Sequence, residues 1–101
     1  MTAHTDLVAL ASSLPEAWRS QIVGRPAGAN LKVLRMDGQA YPNESHPFDE
    51  ALLVLDGQMN LQLGASTTHV MAGEVYIVPA GIPHAVAEGS KGTLVIIDCG
   101  A

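Results

Sequence analysis

Cysteine is nearly absent: the single Cys99 excludes an internal disulfide and any Cys-x-x-Cys redox or zinc motif, and reads as a small residue near the chain end. Aromatic residues are also scarce. Trp18, Tyr41, Phe48 and Tyr76 are too few for a platform that stacks single-stranded bases. Five Lys/Arg stand against ten Asp/Glu, a net charge of −5, so the basic footprint for nucleic acid or an anionic membrane is missing. The longest apolar runs, Ala51–Leu55 and Leu94–Ile97, fall far short of the roughly 18 residues of a spanning helix. Neither nucleic acid nor membrane is an expected partner. The opening residues lack the basic start and apolar stretch of a secretory signal, so a cytoplasmic location is expected. No serine sits in a nucleophile-elbow motif, and Gly89-Ser90-Lys91-Gly92-Thr93 lacks the spacing of a phosphate loop and reads as a turn.

What is present is core-forming material. Of the 101 residues 48% are apolar and 15% charged, which describes one foldable domain over residues 1–101. Asp6 at a helix N-cap, followed by Leu7, Leu10, Ala11 and Leu14 at helical spacing, predicts a short helical segment over about 6–19, with Trp18 anchoring it. From residue 20 to 99 turn residues recur every 6–12 positions. Strands are expected near 20–24, 31–36, 50–56, 59–63, 67–71, 74–78, 84–87 and 93–98, separated by turns such as Asp56-Gly57 and the Pro79–Pro83 segment. That rhythm is all-β and suits a sandwich, jelly roll or small barrel, which control exposed sheet edges. Met36, Met59 and Met71 are expected as core filler. Residues 59–63 alternate apolar and polar, but 51–55, 75–78 and 94–97 do not and need cover on both faces. A homodimer made through an apolar outer face or sheet edges is the expectation.

Two of the four histidines stand in an ordered context. Gly38 is followed, after five residues, by Glu44-Ser45-His46; three residues then precede Glu50, and six more precede Gly57. Further on, Gly73 is followed after five residues by Pro79-Ala80-Gly81 and, two residues later, His84. Glu44, His46 and Glu50 share parity, so extended backbone would project all three to one face, with Pro47 as a break in phase. Two carboxylates and an imidazole facing inward are costly to bury alone, and a divalent cation is the usual compensation. With His84 arriving from another strand, an N/O ligand set suits iron, manganese, nickel, zinc or copper. No Lys or Arg occurs between Arg35 and Lys91, while seven acidic residues do, which favours a cation. The same imbalance disfavours phosphate or multi-carboxylate substrates unless Arg25, Lys32 or Arg35 reaches in. His69 reads as an ordinary strand residue and His4 as terminal; Tyr41, Phe48 and Tyr76 are candidates either for a cavity lining or for plain packing.

These two spacings resemble the two motifs of the cupin superfamily. Gly38, His46, Glu50 and Gly57 match the first motif, and Gly73, Pro79, Gly81 and His84 match the second; together they span residues 38–88, about half of the chain. The resemblance implies a double-stranded β-helix, the cupin jelly-roll barrel, with a short N-terminal helix. It also carries the metal-ligand positions onto Glu44, His46, Glu50 and His84. Two positions depart from the pattern: Glu44 stands where the family has its first histidine, and Glu88 where it has a final asparagine. Glu44 is then a fourth ligand of harder character, an acid/base beside a two-histidine, one-carboxylate site, or the mark of a site that has lost its metal. A metal-free Glu44/Glu50 acid–base pair is a further option.

The superfamily hosts many activities, so fold does not fix function. The leading expectation is a small bacterial-type cupin with a divalent metal ion, an enzyme of dioxygenase or isomerase type acting on a small, largely neutral or cationic organic molecule. A non-catalytic small-molecule binding or sensing module, and a metal-free structural dimer, are the alternatives.

Overall fold

In a computed structural model, which describes residues 3–99, one short helix precedes eight antiparallel strands. Helix α1 spans Leu7–Ser13, and Asp6 caps it by accepting a hydrogen bond from the Ala9 amide at 3.0 Å. The helix stops well before the expected residue 19. Leu14, which precedes Pro15, is already extended (φ −66°, ψ 132°), because the proline ring disfavours the helical region for its predecessor. Trp18 then turns the chain at φ +67°.

The strands are β1 (Gln21–Gly24), β2 (Asn30–Asp37), β3 (Tyr41–Glu44), β4 (Glu50–Leu63), β5 (Ser66–Met71), β6 (Val75–Val78), β7 (His84–Val86) and β8 (Lys91–Asp98). Two differ from the sequence reading. Asp56-Gly57 is not a turn: β4 runs through it and joins two expected strands into one of 14 residues. Residues 41–44 form a strand that was not expected, since Tyr-Pro-Asn-Glu has few β-formers. It lies at the end of the order β1-β2-β8-β4-β7-β3, where a proline costs no ladder bond.

Strand β4 organises the fold. Its first half pairs with β6 and β8, and its second half with β5 and β7, so one strand crosses between the two layers of an all-β jelly roll. The crossing is a bulge, where the β4–β8 register slips between Val54 and Asp56. There Gly57 faces Gly92 with both at positive φ. A Cβ on Gly57 would stand 1.8 Å from the Lys91 carbonyl oxygen, and one on Gly92 2.2 Å from that of Asp56. Only glycine fits. The Asp56 carboxylate secures the crossing by accepting the Thr93 backbone N–H and hydroxyl, both at 3.2 Å.

Between the layers lies a core centred on Met36, Val54, Met59 and Leu61. Met71 is not part of it. It follows buried Val70 on β5 and so points outward, 45% exposed. On the outer face, α1 packs Ala11 with Leu7 and Leu10 over Val33, Val95, Leu53 and Leu55, which supplies the second cover for much of 51–55 and 94–97. Val75, Ile77 and Ile97 stay exposed on that face, with Ala51 pairing to both isoleucines. Trp18 anchors the connector rather than the helix: its amide donates to the Arg35 carbonyl, its indole to Asp37, and its ring stacks on Tyr41 at 5.4 Å. No helix among the described residues is long and apolar enough to cross a membrane.

Candidate metal centre

Four separate pieces of backbone deliver the four residues singled out by spacing. Glu44 ends β3 directly across from His84, which opens β7, so the two share a face. Glu50 opens β4 and is buried. His46 lies in the loop between β3 and β4, so the shared parity of 44, 46 and 50 groups the right residues without a continuous strand to enforce it. That loop is held by the turn before β7. The Gly81 amide donates to the His46 carbonyl at 2.7 Å, and the Ala80 amide to Asp49 Oδ1 at 2.9 Å. Phe48 stacks on the His46 ring at 5.1 Å and 8°, fixing its plane. The two spaced motifs therefore meet through their backbones as well as their side chains.

One potential ligand atom from each of Glu44, His46, Glu50 and His84 falls within 4.8 Å of all the others. His84 Nε2 lies 3.1 Å from Glu50 Oε1 and 4.0 Å from Glu44 Oε1; His46 Nε2 lies 3.3 Å from Glu44 Oε1 and 3.8 Å from Glu50 Oε2. Donors held about 2.1 Å from one ion at 90–110° are roughly 3.0–3.4 Å apart; two of these distances lie in that range and the other two exceed it by about 0.4–0.6 Å. The chemistry of His84 points the same way. Its Nδ1 stands 3.1 Å from the Ile82 carbonyl, which only accepts, so Nδ1 carries the hydrogen. Nε2 then presents its lone pair to a carboxylate oxygen, with both side chains nearly buried. Two acceptors at that distance need a cation between them, either a proton or a metal. The N–H to a backbone carbonyl is also the outer partner that metal-bound histidines use. The residues present fit a metal ion.

The cluster opens onto a cavity of about 480 Å³, within the size range of small-molecule sites. Its walls include Trp18, Tyr41, Leu34, Met59 and Leu94, and also Arg25, Asn30, Lys32 and Asp98. Two of the three cations that could reach inward therefore do so. Arg35 does not: it has the opposite parity to Lys32 on β2, and its guanidinium donates to the Leu14 carbonyl on the outside. Tyr41 and Phe48 line the cavity, whereas Tyr76 packs against the core.

Residues 33–100 match the family model for the cupin domain. The chain belongs to the cupin family. This cupin is similar in fold to a cupin-2 domain containing protein from Shewanella frigidimarina, at 18% identity and a TM-score of 0.84 over 93% of this chain and 92% of that one. It is similarly close to a protein from Ralstonia eutropha provisionally named a mannose-6-phosphate isomerase (23%, 0.81, 99% and 100%). A DMSP lyase from Ruegeria pomeroyi is more distant (23%, 0.64, 71% and 38%). A comparison with curated protein sequences finds no match.

The departures from the family pattern resolve differently. Glu44 faces the cluster with its side chain 41% exposed, where that of Glu50 is 7% exposed. Glu88 is exposed and outside the cluster; its carbonyl accepts the Asn60 side-chain amide. His69 is an exposed strand residue beside Gln58, as expected. Arg25 and Lys32 were named as cations that could reach in, whereas Asp49, Asn30 and Asp98 went unmarked. Inward parity on β2 and β8 was the only available sign of the last two, and it is visible only once the register is known.

Proposed function

We propose that this cupin binds a divalent metal ion through His46, Glu50 and His84, with Glu44 as fourth ligand or acid/base, and acts on a small organic molecule in the adjoining cavity. The observation that carries this reading is the approach of His84 Nε2 to Glu50 Oε1 at 3.1 Å, with Nδ1 committed to Ile82. Iron, manganese, nickel and zinc all suit two imidazoles and two carboxylates. A bound ion would polarise an oxygen of the substrate or lower the pKa of a water. Glu44, the more exposed carboxylate, is the one placed to take or return a proton. Glu50 is the fixed anion, and Phe48 and Ile82 hold the two rings in orientation. An isomerase or a dioxygenase could be built on this site, the latter only with a redox-active metal.

Elemental analysis of protein purified without chelator tests the reading. About one ion per chain, lost in His84→Ala, is expected; substoichiometric metal unchanged by His84→Ala sinks it. Equal turnover with zinc and with iron or manganese removes the oxygenase form. Ligand-induced thermal stabilisation without turnover assigns the cavity to binding or sensing instead.

A homodimer is proposed with it. Val75, Ile77 and Ile97 form an uncharged strip on a sheet face whose neighbouring part the chain already covers with its own helix, and a second copy presents the same flat strip in return.

A further inference from the structure

Across from the His/Glu cluster, the cavity wall is basic in a chain that is otherwise acidic. Of the five Lys and Arg side chains, Arg25 and Lys32 both line this cavity. They are linked through a polar network: Arg25 Nη1 donates to Asn30 Oδ1 at 2.9 Å, Asn30 Nδ2 donates to Asp98 Oδ1 at 2.9 Å, and Lys32 Nζ meets Asp98 Oδ2 at 2.7 Å. The Asp98 side chain is 2% exposed, so its charge is committed to Lys32. Among the described residues no carboxylate pairs with Arg25. The described residues therefore leave the wall with one positive charge in excess, on a guanidinium whose planar fork of five N–H groups has given one to Asn30.

Register places this wall relative to the cluster. Asn30 pairs with Asp98, and the pairing of Ala51 with Ile97 sets Glu50 next to Asp98 on the neighbouring strand. Inward-facing Glu50, Asp98 and Asn30 thus form one row across β4, β8 and β2, with strands about 4.8 Å apart. Asn30, which holds Arg25, is two strand spacings or roughly 10 Å from Glu50, the span of one small molecule, with Asp98 between them and Leu52 and Ile96 beside the row.

We infer that Arg25, positioned by Asn30 and assisted by Lys32, is the anion-recognition point of this cavity, and that its ligand is a small organic monocarboxylate with an apolar body. This rests on the reading of the cluster as a metal site: with a divalent ion neutralising Glu44 and Glu50, the single uncompensated charge that the described residues bring to the cavity is that of the wall. One charge matches a carboxylate rather than a phosphate dianion, and the guanidinium fork suits a planar carboxylate. The ligand's far end, an oxygen donor, reaches the cluster. A monocarboxylate departs from the expected neutral or cationic ligand and follows the exception left for an inward-reaching Arg25 or Lys32.

The test uses the full chain and matched probes: benzoate, benzamide and benzylamine, then hexanoate with hexanamide, each titrated while Trp18 emission is read, with inorganic phosphate as a separate arm. At least one carboxylate is expected to bind about 10-fold or more tightly than its amide, and Arg25→Gln to weaken it by about 10- to 100-fold. Arg25→Lys should recover part of the loss. Lys32 is left in place, because its removal would strand buried Asp98. Metal content is measured on the same samples and should not change in Arg25→Gln. Carboxylates no tighter than amides, an Arg25→Gln effect within twofold, or phosphate binding more tightly than either carboxylate overturns the inference. Metal-free wild type that still prefers carboxylates in an Arg25-dependent way upholds the subsite and sinks the metal reading alone.

Discussion

Two side-chain pairs set the behaviour of individual residues. Glu50 and His84 are nearly buried against each other, so removing one leaves the other's polar group without its partner. His84→Ala is expected to cost about 3–5 kcal/mol in the metal-free protein, and His84→Ala with Glu50→Gln markedly less, as measured by urea denaturation. The second pair lies at the cavity rim. Asp37 accepts the Gln39 amide at 3.0 Å and the Trp18 indole at 2.7 Å, and these two hydrogen bonds hold its carboxyl below the usual range. A depressed folded-state pKa contributes stability that is complete above the unfolded value and is lost as pH falls through the folded one. Trp18 is the only tryptophan, so its emission reports the contact. It should hold steady from neutral pH down to about 4.5 and shift only below roughly 4, whereas Asp37→Asn should show the shifted emission at neutral pH.

At the scale of elements the decisive feature is the crossing at Gly57 and Gly92. Gly57→Ala would drive a methyl group into backbone as well as straining φ, and should cost about 3 kcal/mol or more, or abolish folding. Gly64 also has positive φ but open space around it, so Gly64→Ala should cost only about 1 kcal/mol in the same denaturation experiment. The contrast shows what a sequence can and cannot carry. Asp56-Gly57 has the composition of a hairpin turn, and the choice between a turn and a bulge was made by Gly92, 35 positions later, which no local pattern encodes. Pro15 is compatible with either a stop or a restart of a helix, and only the fold shows that the chain stops there. Tyr41–Glu44 was invisible as a strand because its formation depends on β7. The cluster fared better, since ligand spacing within each motif is local, and only its assembly from loop and strand ends required the fold. Arg25 and Lys32 could be named as possible intruders, yet which of three cations pointed inward depended on strand parity relative to the core.

For the whole molecule, the acidic cluster and the apolar strip each give an expectation for stability or assembly. A metal ion that binds the folded cluster and not the unfolded chain stabilises by mass action, so adding metal at about 100 times its Kd should stabilise the protein by about 2.7 kcal/mol. At 4–8 °C per kcal/mol for a chain of this size, that is a rise in Tm of roughly 10–20 °C, reversed by chelator and absent in His84→Ala. The strip of Val75, Ile77 and Ile97 gives a separate expectation. Sedimentation at micromolar concentration should find a dimer that Ile77→Lys converts to monomer without loss of metal; a wild-type monomer would count against the proposed pairing.

Strand β4 belongs to both layers at once, and that restricts how the cavity can breathe. The two sheets cannot part like the halves of a shell, because separating them would tear a continuous backbone at Gly57. We expect traffic of ligand and water to pass around the connector that carries Trp18, whose side chain lines the cavity. The lifetime of a bound molecule would then follow the loosening of one tethered indole, and a change at Asp37 would alter the rates of arrival and departure together while leaving their ratio nearly untouched.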